Sequence, residues 1–187
     1  LAEQGNISAQ FNLGQMYKRG QGVPKDYKTA VKWFKLAAEQ GNAGAQNVLG
    51  WMYDDGKGVP QDYKIAVKWY RLAAEQGHAV AQVNLGWMYD EGKGVSENDK
   101  TAVKWYRLAA EQGDADAQYN LGVMYSAGYG VKEDNIYAHM WFNIVASSGD
   151  KDAVTNKNNI EKEMTFDQYE KAHNLAQECI RKKYKGC

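Results

Sequence analysis

Apolar residues recur along this chain at helical spacing, in two segments of every 36 residues. The segment 43–53 carries them at relative positions i, i+4, i+7 and i+8, namely Ala45, Leu49, Met52 and Tyr53. The segment from about 63 to 76 carries them at i, i+3, i+4, i+7 and i+8, namely Ala66, Trp69, Tyr70, Ala73 and Ala74. Because each spacing places the apolar side chains on one helical face, the pattern predicts a pair of amphipathic helices.

A strict internal repeat extends this helix pair along the chain. Glycines recur at intervals of 36 residues, at Gly5, Gly41, Gly77, Gly113 and Gly149. Such regular spacing is typical of a solenoid, in which small helical units pack on their neighbours. A Gly-x-Gly-Val segment joins the two helices of each unit, at 20–23, 56–59, 92–95 and 128–131. A phosphate-binding loop would follow a strand and lead directly into a helix, so we interpret these segments as turns with the valine packed beneath.

The predicted helix ends carry suitable capping residues. Residues directly after the periodic glycines precede the first helices, namely Asn6, Asn42, His78, Asp114 and Asp150. All of these except His78 are favoured N-caps. The second helices are preceded by Asp26, Asp62, Asn98 and Asp134. Near the end of the chain, Thr165 and Gln168 have capping-box spacing, which predicts a final helix from about Phe166 to Lys183.

The repeated motif resembles a known family. The pattern is Ala-x-Ala-Gln-x-x-Leu-Gly-x-Met-Tyr, then Gly-x-Gly-Val-x-x-Asp, then Ala-Val-x-Trp-Tyr-x-x-Ala-Ala-Glu-Gln-Gly. It is similar over residues 1–149 to the Sel-1-like repeats, which are relatives of tetratricopeptide repeats with a longer loop between the helices. The resemblance implies an adaptor or scaffold for other proteins, without catalytic residues. Relatives rich in cysteine have a disulfide in every repeat, and this chain has no cysteine in its repeats.

We therefore expect an all-α protein, a right-handed α/α superhelix of helix–loop–helix repeats with a period of 36 residues. Residues 1–149 are predicted to form four helix-pair repeats, and residues 150–187 the C-terminal capping helices of the same single solenoid domain. Leu1 to Gln4 match the last turn of a second helix, so the first repeat starts in the middle of a unit. We expect a longer parent array, a removed signal segment and first helix, or a short natural stub.

Comparison of the repeats with one another separates two kinds of position on the first helices. Constant positions include Ala9/Ala45/Ala81/Ala117, Gln10/Gln46/Gln82/Gln118, Leu13/Leu49/Leu85/Leu121 and Gly14/Gly50/Gly86/Gly122. We expect these to form the repeated packing interfaces. Variable positions lie at i, i+3, i+7 and i+10, which is one stripe, and we interpret this stripe as free of repeat packing. First helices line the concave side of such solenoids, where partners bind.

The variable stripe and its acidic neighbours give the candidate partner-binding residues. They are Phe11, Gln15, Lys18, Asn47, Trp51, Asp54, Asp55, Val83, Trp87, Asp90, Glu91, Tyr119 and Val123. The hypothesis is a groove that takes a peptide with apolar anchors and a basic segment, because aromatic residues are preferred anchors at interfaces. Two alternatives stay open: Trp51 and Trp87 pack between units, and the acidic residues are merely solvated. Strictly repeated tryptophans are assigned to the core, namely Trp33, Trp69, Trp105 and Trp141.

Composition narrows the function further. The 23 Lys+Arg balance the 23 Asp+Glu, so a basic stripe on the second helices is read as a solubilising surface and nucleic acid is not an expected partner. No apolar stretch is long enough for membrane insertion. The sequence predicts no metal site, no cofactor and no catalytic constellation, and no pKa shift at the adjacent Asp54 and Asp55. The leading function is a protein-binding scaffold. The alternatives are an enzyme or cell-wall-modifying protein with a groove site, and a structural spacer.

The two cysteines, Cys179 and Cys187, lie near the end of the chain. They form a disulfide if the chain folds back after Tyr184, and otherwise they are one buried and one tail thiol. The disulfide would favour a periplasmic or secreted location, because such bonds persist in oxidising compartments.

Overall fold

The computed structural model describes residues 1–187, which form ten α-helices and no strand. The helices are α1 (Ile7–Arg19), α2 (Tyr27–Glu39), α3 (Ala43–Asp54), α4 (Tyr63–Glu75), α5 (Ala79–Asp90), α6 (Asp99–Ala110), α7 (Ala115–Ala127), α8 (Asn135–Ala146), α9 (Lys151–Glu161) and α10 (Phe166–Arg181). The predicted helix pairs are confirmed, with ends that differ by one or two residues. None of the helices combines the length and apolar character needed to cross a bilayer.

The chain divides into two compact units, Leu1–Glu97 with α1 to α5 and Asn98–Cys187 with α6 to α10. Within the first unit, consecutive helices pack against each other from α1 to α5. Within the second unit, α8 packs on α7, α9 and α10. That the whole chain is a single solenoid domain stays a prediction.

The predicted N-caps are observed at each repeat. Side chains of Asn6, Asn42 and Asp114 accept a hydrogen bond from the backbone N–H three residues later. His78 does the same: its Nδ1 lies 3.3 Å from the Ala81 N–H. Burial lowers the pKa of His78, although a backbone hydrogen bond opposes this. The neutral ring that the cap requires is therefore the favoured form.

In each second helix, the aromatic ring that follows the repeated tryptophan is fully buried. The side chains of Phe34, Tyr70, Tyr106 and Phe142 are at most 1% exposed. Of the tryptophans assigned to the core, only Trp141 is fully buried, and Trp33, Trp69 and Trp105 are half-buried. A constant glycine explains the difference, because a Cβ added at Gly50 would lie only 2.6 Å from Cδ1 of Tyr70. The glycine makes room for the ring that follows the tryptophan.

A buried glutamine in each first helix ties successive helices together. These side chains, Gln10, Gln46, Gln82 and Gln118, are at most 4% exposed. The Nε2 of Gln46 donates to the carbonyl of Ala38, and its Oε1 accepts from Nε2 of Gln76 at 2.6 Å. Because a buried amide costs free energy unless it is hydrogen-bonded, the constancy of this glutamine reflects packing.

The Gly-x-Gly-Val segments serve repeat packing. Gly58 has φ +77°, and a Cβ there would lie 2.5 Å from the carbonyl atoms of Tyr27 at the start of α2. Val59 packs against the core of the first unit, as the turn interpretation predicts. The close approach of two backbones therefore requires glycine at this position.

The C-terminal helix ends in a disulfide. Thr165 and Gln168 form the predicted capping box at the start of α10. Cys179 and Cys187 are joined, with their Cα atoms 5.6 Å apart. The disulfide interpretation is thereby confirmed and the free-thiol alternative is wrong.

Candidate functional site

The aromatic residues of the stripe in the first unit are half-buried. Phe11 packs edge-on against Phe34, with ring centroids 5.8 Å apart. Trp51 contacts the core cluster of the same unit, and both Trp51 and Trp87 keep part of the indole exposed. These rings are therefore neither sealed inside the repeats nor fully free of them.

A lysine covers each of the two tryptophans. Nζ of Lys18 lies 5.3 Å from the ring centroid of Trp51, and Nζ of Lys93 lies 3.8 Å from that of Trp87. Such cation–π contacts contribute about 0.5–1 kcal/mol at exposed sites. Burial, reinforced by the positive charge of Arg19, lowers the pKa of Lys18. The sequence analysis had not selected Lys93, although the Gly-Lys-Gly segment that contains it also occurs one repeat earlier, at 56–58.

The acidic residues at the ends of α3 and α5 differ in their environment. Asp54 is half-buried and accepts a hydrogen bond from the Tyr70 hydroxyl at 3.3 Å. Burial raises the pKa of Asp54; the Tyr70 hydrogen bond and Lys93 oppose this rise, and the charge of Asp55 adds to it. The expectation of an unshifted carboxylate is therefore wrong for Asp54. Asp55 and Glu91 are exposed, as the solvated alternative predicts.

Two stripe positions take part in contacts between repeats. Nδ2 of Asn84 donates to Oδ1 of Asn47 at 3.1 Å, and Nδ2 of Asn156 donates to the hydroxyl of Tyr119 at 2.9 Å. The interpretation of the variable stripe as free of repeat packing is therefore wrong at Asn47 and Tyr119. The two partners, Asn84 and Asn156, occupy the same repeat position, so one asparagine can serve different stripe residues.

The remaining stripe residues are also half-buried, namely Gln15, Val83, Asp90 and Val123. In the second unit, Tyr119 lines an open pocket together with Asp116, Asp150 and Asp152. Tyr119 is also the stripe residue that accepts a hydrogen bond from Asn156. No group of three or more His, Cys, Asp or Glu side chains is arranged to hold a metal ion.

The basic stripe of the second helices is partly used for packing. Nη2 of Arg71 donates to the Tyr89 hydroxyl at 2.6 Å, and Nη2 of Arg107 donates to the Tyr125 hydroxyl at 2.9 Å. The lysines of the stripe in the first unit, among them Lys64 and Lys68, are exposed. The arginines thus connect a second helix to the following first helix.

The sequence analysis missed a buried histidine contact in the second unit. The His139 side chain is 1% exposed, and its Nε2 lies 2.8 Å from Oε1 of Glu161. Burial lowers the pKa of His139, and the Glu161 carboxylate only partly offsets this. Alignment of the repeats could have pointed to His139, because the first three repeats have valine at this position, namely Val31, Val67 and Val103.

The comparisons with known proteins agree with this architecture. The Sel1 repeat family model matches residues 7–42, 43–78, 79–114 and 115–150. A solved structure of a protective antigen from uropathogenic Escherichia coli, with an SLR fold, is 39% identical, with a TM-score of 0.90 over 98% of this chain and 39% of that chain. A Sel1 repeat protein from Oxalobacter formigenes is 36% identical, with a TM-score of 0.76 over 92% of this chain and 74% of that chain. No curated protein sequence matches the chain.

Cysteine-rich protein B of Helicobacter pylori is 25% identical, with a TM-score of 0.52 over 59% of this chain and 86% of that chain. Together, the ten helices, the 36-residue period and these similarities confirm an all-α helical-repeat solenoid. Sel1 repeat proteins are generally scaffolds for protein interactions and generally not enzymes. With four consecutive repeat matches over most of its length, the chain belongs to the Sel1 repeat family.

Proposed function

We propose that the chain binds a partner protein or peptide on the concave face formed by its first helices. The observation that carries the proposal is the half-burial of Trp51 and Trp87 at positions that vary between repeats. A tryptophan required only for packing would be expected to recur in every repeat, as Trp69 and its equivalents do. A large ring that is already partly ordered loses little conformational freedom on binding, which suits it as an interface anchor.

The partner segment that fits this surface is extended, with apolar side chains and a basic stretch. The apolar side chains would contact the exposed parts of Trp51 and Trp87. The basic stretch would lie opposite Asp54, Asp55 and Glu91. Burial makes the charged form of Asp54 costly, and a cationic partner group would relieve this cost. Lys18 and Lys93 occupy the tryptophan faces in the free protein, so partner binding would displace or share these cations.

A periplasmic or secreted location forms part of the same proposal. Its support is the Cys179–Cys187 disulfide, a bond that is rare in reducing compartments. Location can be tested separately, by fractionation of cells that express the full-length protein.

The binding proposal is tested by selecting peptides from a displayed library and measuring affinity by fluorescence anisotropy. We expect enriched peptides with aromatic or aliphatic residues next to Lys or Arg. The variants Trp51→Ala and Trp87→Ala should each weaken binding by about 30-fold, which corresponds to about 2 kcal/mol. The double variant Asp55→Lys/Glu91→Lys should weaken binding most at low ionic strength.

A matched control is Trp33→Ala, which removes a half-buried tryptophan from a second helix outside the stripe. It should leave the affinity unchanged, provided that circular dichroism shows a folded protein. Equal affinity of the wild type and of folded Trp51→Ala and Trp87→Ala would contradict the proposal. A library that yields no enriched sequence would instead favour a structural spacer.

A further inference from the structure

His139 lies where α8, α9 and α10 meet in the second unit. Its Nε2 contacts Glu161 at the end of α9, at 2.8 Å, and the edge of its ring meets the ring of Tyr169 on α10, with centroids 5.5 Å apart. Its second ring nitrogen, Nδ1, is buried and has no hydrogen-bond partner. This arrangement suits a neutral imidazole that donates from Nε2 to the Glu161 carboxylate.

Protonation would place a second N–H on this ring at a buried position without an acceptor. A buried donor that has lost water and gained no partner costs about 1–3 kcal/mol, and more when it is charged. The proton is therefore accepted most easily after the ring has been exposed to water. Glu161 on α9 and Tyr169 on α10 both contact the ring, so we expect its exposure to move α9 or α10 away from α8.

The charged groups around His139 either favour or oppose its protonation. From α9, Glu161 faces Nε2 at 30% side-chain exposure, and Lys157 lies 3.6 Å from the same carboxylate. From α10, His173 stacks on Tyr169 and opposes a positive charge on His139. On α7 the only acidic or basic side chain is Asp116, which lines a pocket with Val145 in the last turn of α8.

Glu161 itself remains charged in the range where histidine titrates. Burial favours its neutral form, but the hydrogen bond with His139 and the charge of Lys157 outweigh this and lower the pKa of Glu161. Its contribution to stability is lost only in stronger acid. Between about pH 7.5 and 5.5, a change in the packing of α9 is therefore expected to arise at His139.

We propose that the contact between His139 and Glu161 is an acid-sensitive clasp, which holds α9 and α10 on α8 near neutral pH and releases them when His139 takes up a proton. In the neutral form, the clasp adds a hydrogen bond to the apolar packing of Ala138, Phe142 and Ile160. In the charged form, the packing has to open for Nδ1 to reach water. The device is independent of the concave binding surface.

Hydrogen exchange of the whole chain, followed by mass spectrometry, tests the clasp. After correction for intrinsic exchange, amides of α9 and α10 (151–181) should lose protection on acidification from about pH 7.5 to 5.5. One proton taken up on opening changes the opening constant by up to about tenfold per pH unit below the ordinary histidine pKa. We therefore expect a fall in protection of up to about tenfold.

The variant His139→Val copies the residue of the first three repeats and removes the titrating ring. It should abolish the acid response of α9 and α10, because valine packs at this position in the other repeats and takes up no proton. The control His78→Asn removes a histidine from the first unit and should leave the response of 151–181 intact. An acid response that survives in His139→Val, or no response in the wild type, would overturn the proposal.

A measurement on the wild type covers the case in which His139→Val does not fold. Nuclear magnetic resonance of the ring nitrogens should show Nε2 protonated and Nδ1 unprotonated at neutral pH. The ring should become charged only over the pH range in which the α9 and α10 amides lose protection. A His139 ring already charged at neutral pH, or charged in acid without any loss of protection, would contradict the clasp.

Discussion

Replacement of Gly50 by alanine tests how the repeats are packed. Gly50 lies inside α3, and an added Cβ would approach the Tyr70 ring to 2.6, 2.8 and 3.0 Å at three atoms. Alanine gains about 1 kcal/mol of helix propensity over glycine, whereas overpacking a filled core costs about 1–3 kcal/mol. The Tyr70 side chain is only 1% exposed, so it has little freedom to move. The cost therefore lies in the upper part of this range, about 2–3 kcal/mol, and we expect Gly50→Ala to destabilise the protein by about 1–2 kcal/mol net.

The assay is thermal or urea unfolding followed by circular dichroism, with Gly44→Ala as the matched control. Gly44 lies in the same helix, but the other repeats have side chains there, at Ser8, Val80 and Asp116. At Gly44 an added Cβ would have its nearest neighbour at 3.3 Å, so the control should be neutral or slightly stabilising. For a chain of this size, about 1 kcal/mol corresponds to about 2–4 °C in the melting temperature. Equal stability of the two variants would refute the explanation that the constant glycine makes room for the ring.

Three further predictions use the same unfolding assay. The wild type should lose about 1 kcal/mol of unfolding free energy on acidification, because folding lowers the pKa of His78 and its cap is lost as pH falls through the histidine range. His78→Asn should remove this loss. An equal loss in both proteins between about pH 7.5 and 5.5 would contradict the prediction. Gln46→Ala should lower the free energy of unfolding by about 1–3 kcal/mol, since the Ala38 carbonyl and the Gln76 amide lose their partner. Unchanged stability would contradict a structural role for the glutamine. Asp54→Asn should stabilise the chain at neutral pH, because burial raises the pKa of Asp54 and the wild type loses stability as this carboxyl ionises with rising pH. The gain should vanish in acid, where the wild-type carboxyl is protonated.

The helices could be predicted from the sequence because the features that define them are local and recur. Caps, periodic apolar residues and terminal glycines all act within a few positions of one another, so each repeat supplies the same evidence again. The sequence did not show which of two adjacent rings is the more deeply buried. Trp69 and Tyr70 are adjacent and both fall on the apolar side of α4, so periodicity alone cannot rank them. The deciding feature was Gly50, which lies in another helix and provides the space for Tyr70.

The contacts of the candidate site, and the His139 contact outside it, join residues that are distant in the sequence. Lys18 covers Trp51 from a different repeat, and His139 meets Glu161 across 22 positions. Nothing in the local sequence around either partner specifies the other. The pKa shift of Asp54 also escaped the sequence analysis, because it arises from burial beside Tyr70 and not from the neighbouring carboxylate alone. Sequence reasoning therefore selected stripe residues by variation and could not describe their environment.

The variable positions of the stripe make two kinds of contact. Asn47 and Tyr119 occupy the same repeat position and differ, yet each is hydrogen-bonded to the asparagine 37 residues later, Asn84 and Asn156 respectively. The partner asparagine is kept while the stripe residue changes, so a variable position is not by itself an open one. Trp51 differs from these pairs, because its ring is covered by the ammonium group of Lys18 and not by a hydrogen-bonded amide. Under the proposed function, we expect a partner to replace contacts of this second kind, in which a flexible charged side chain covers the ring.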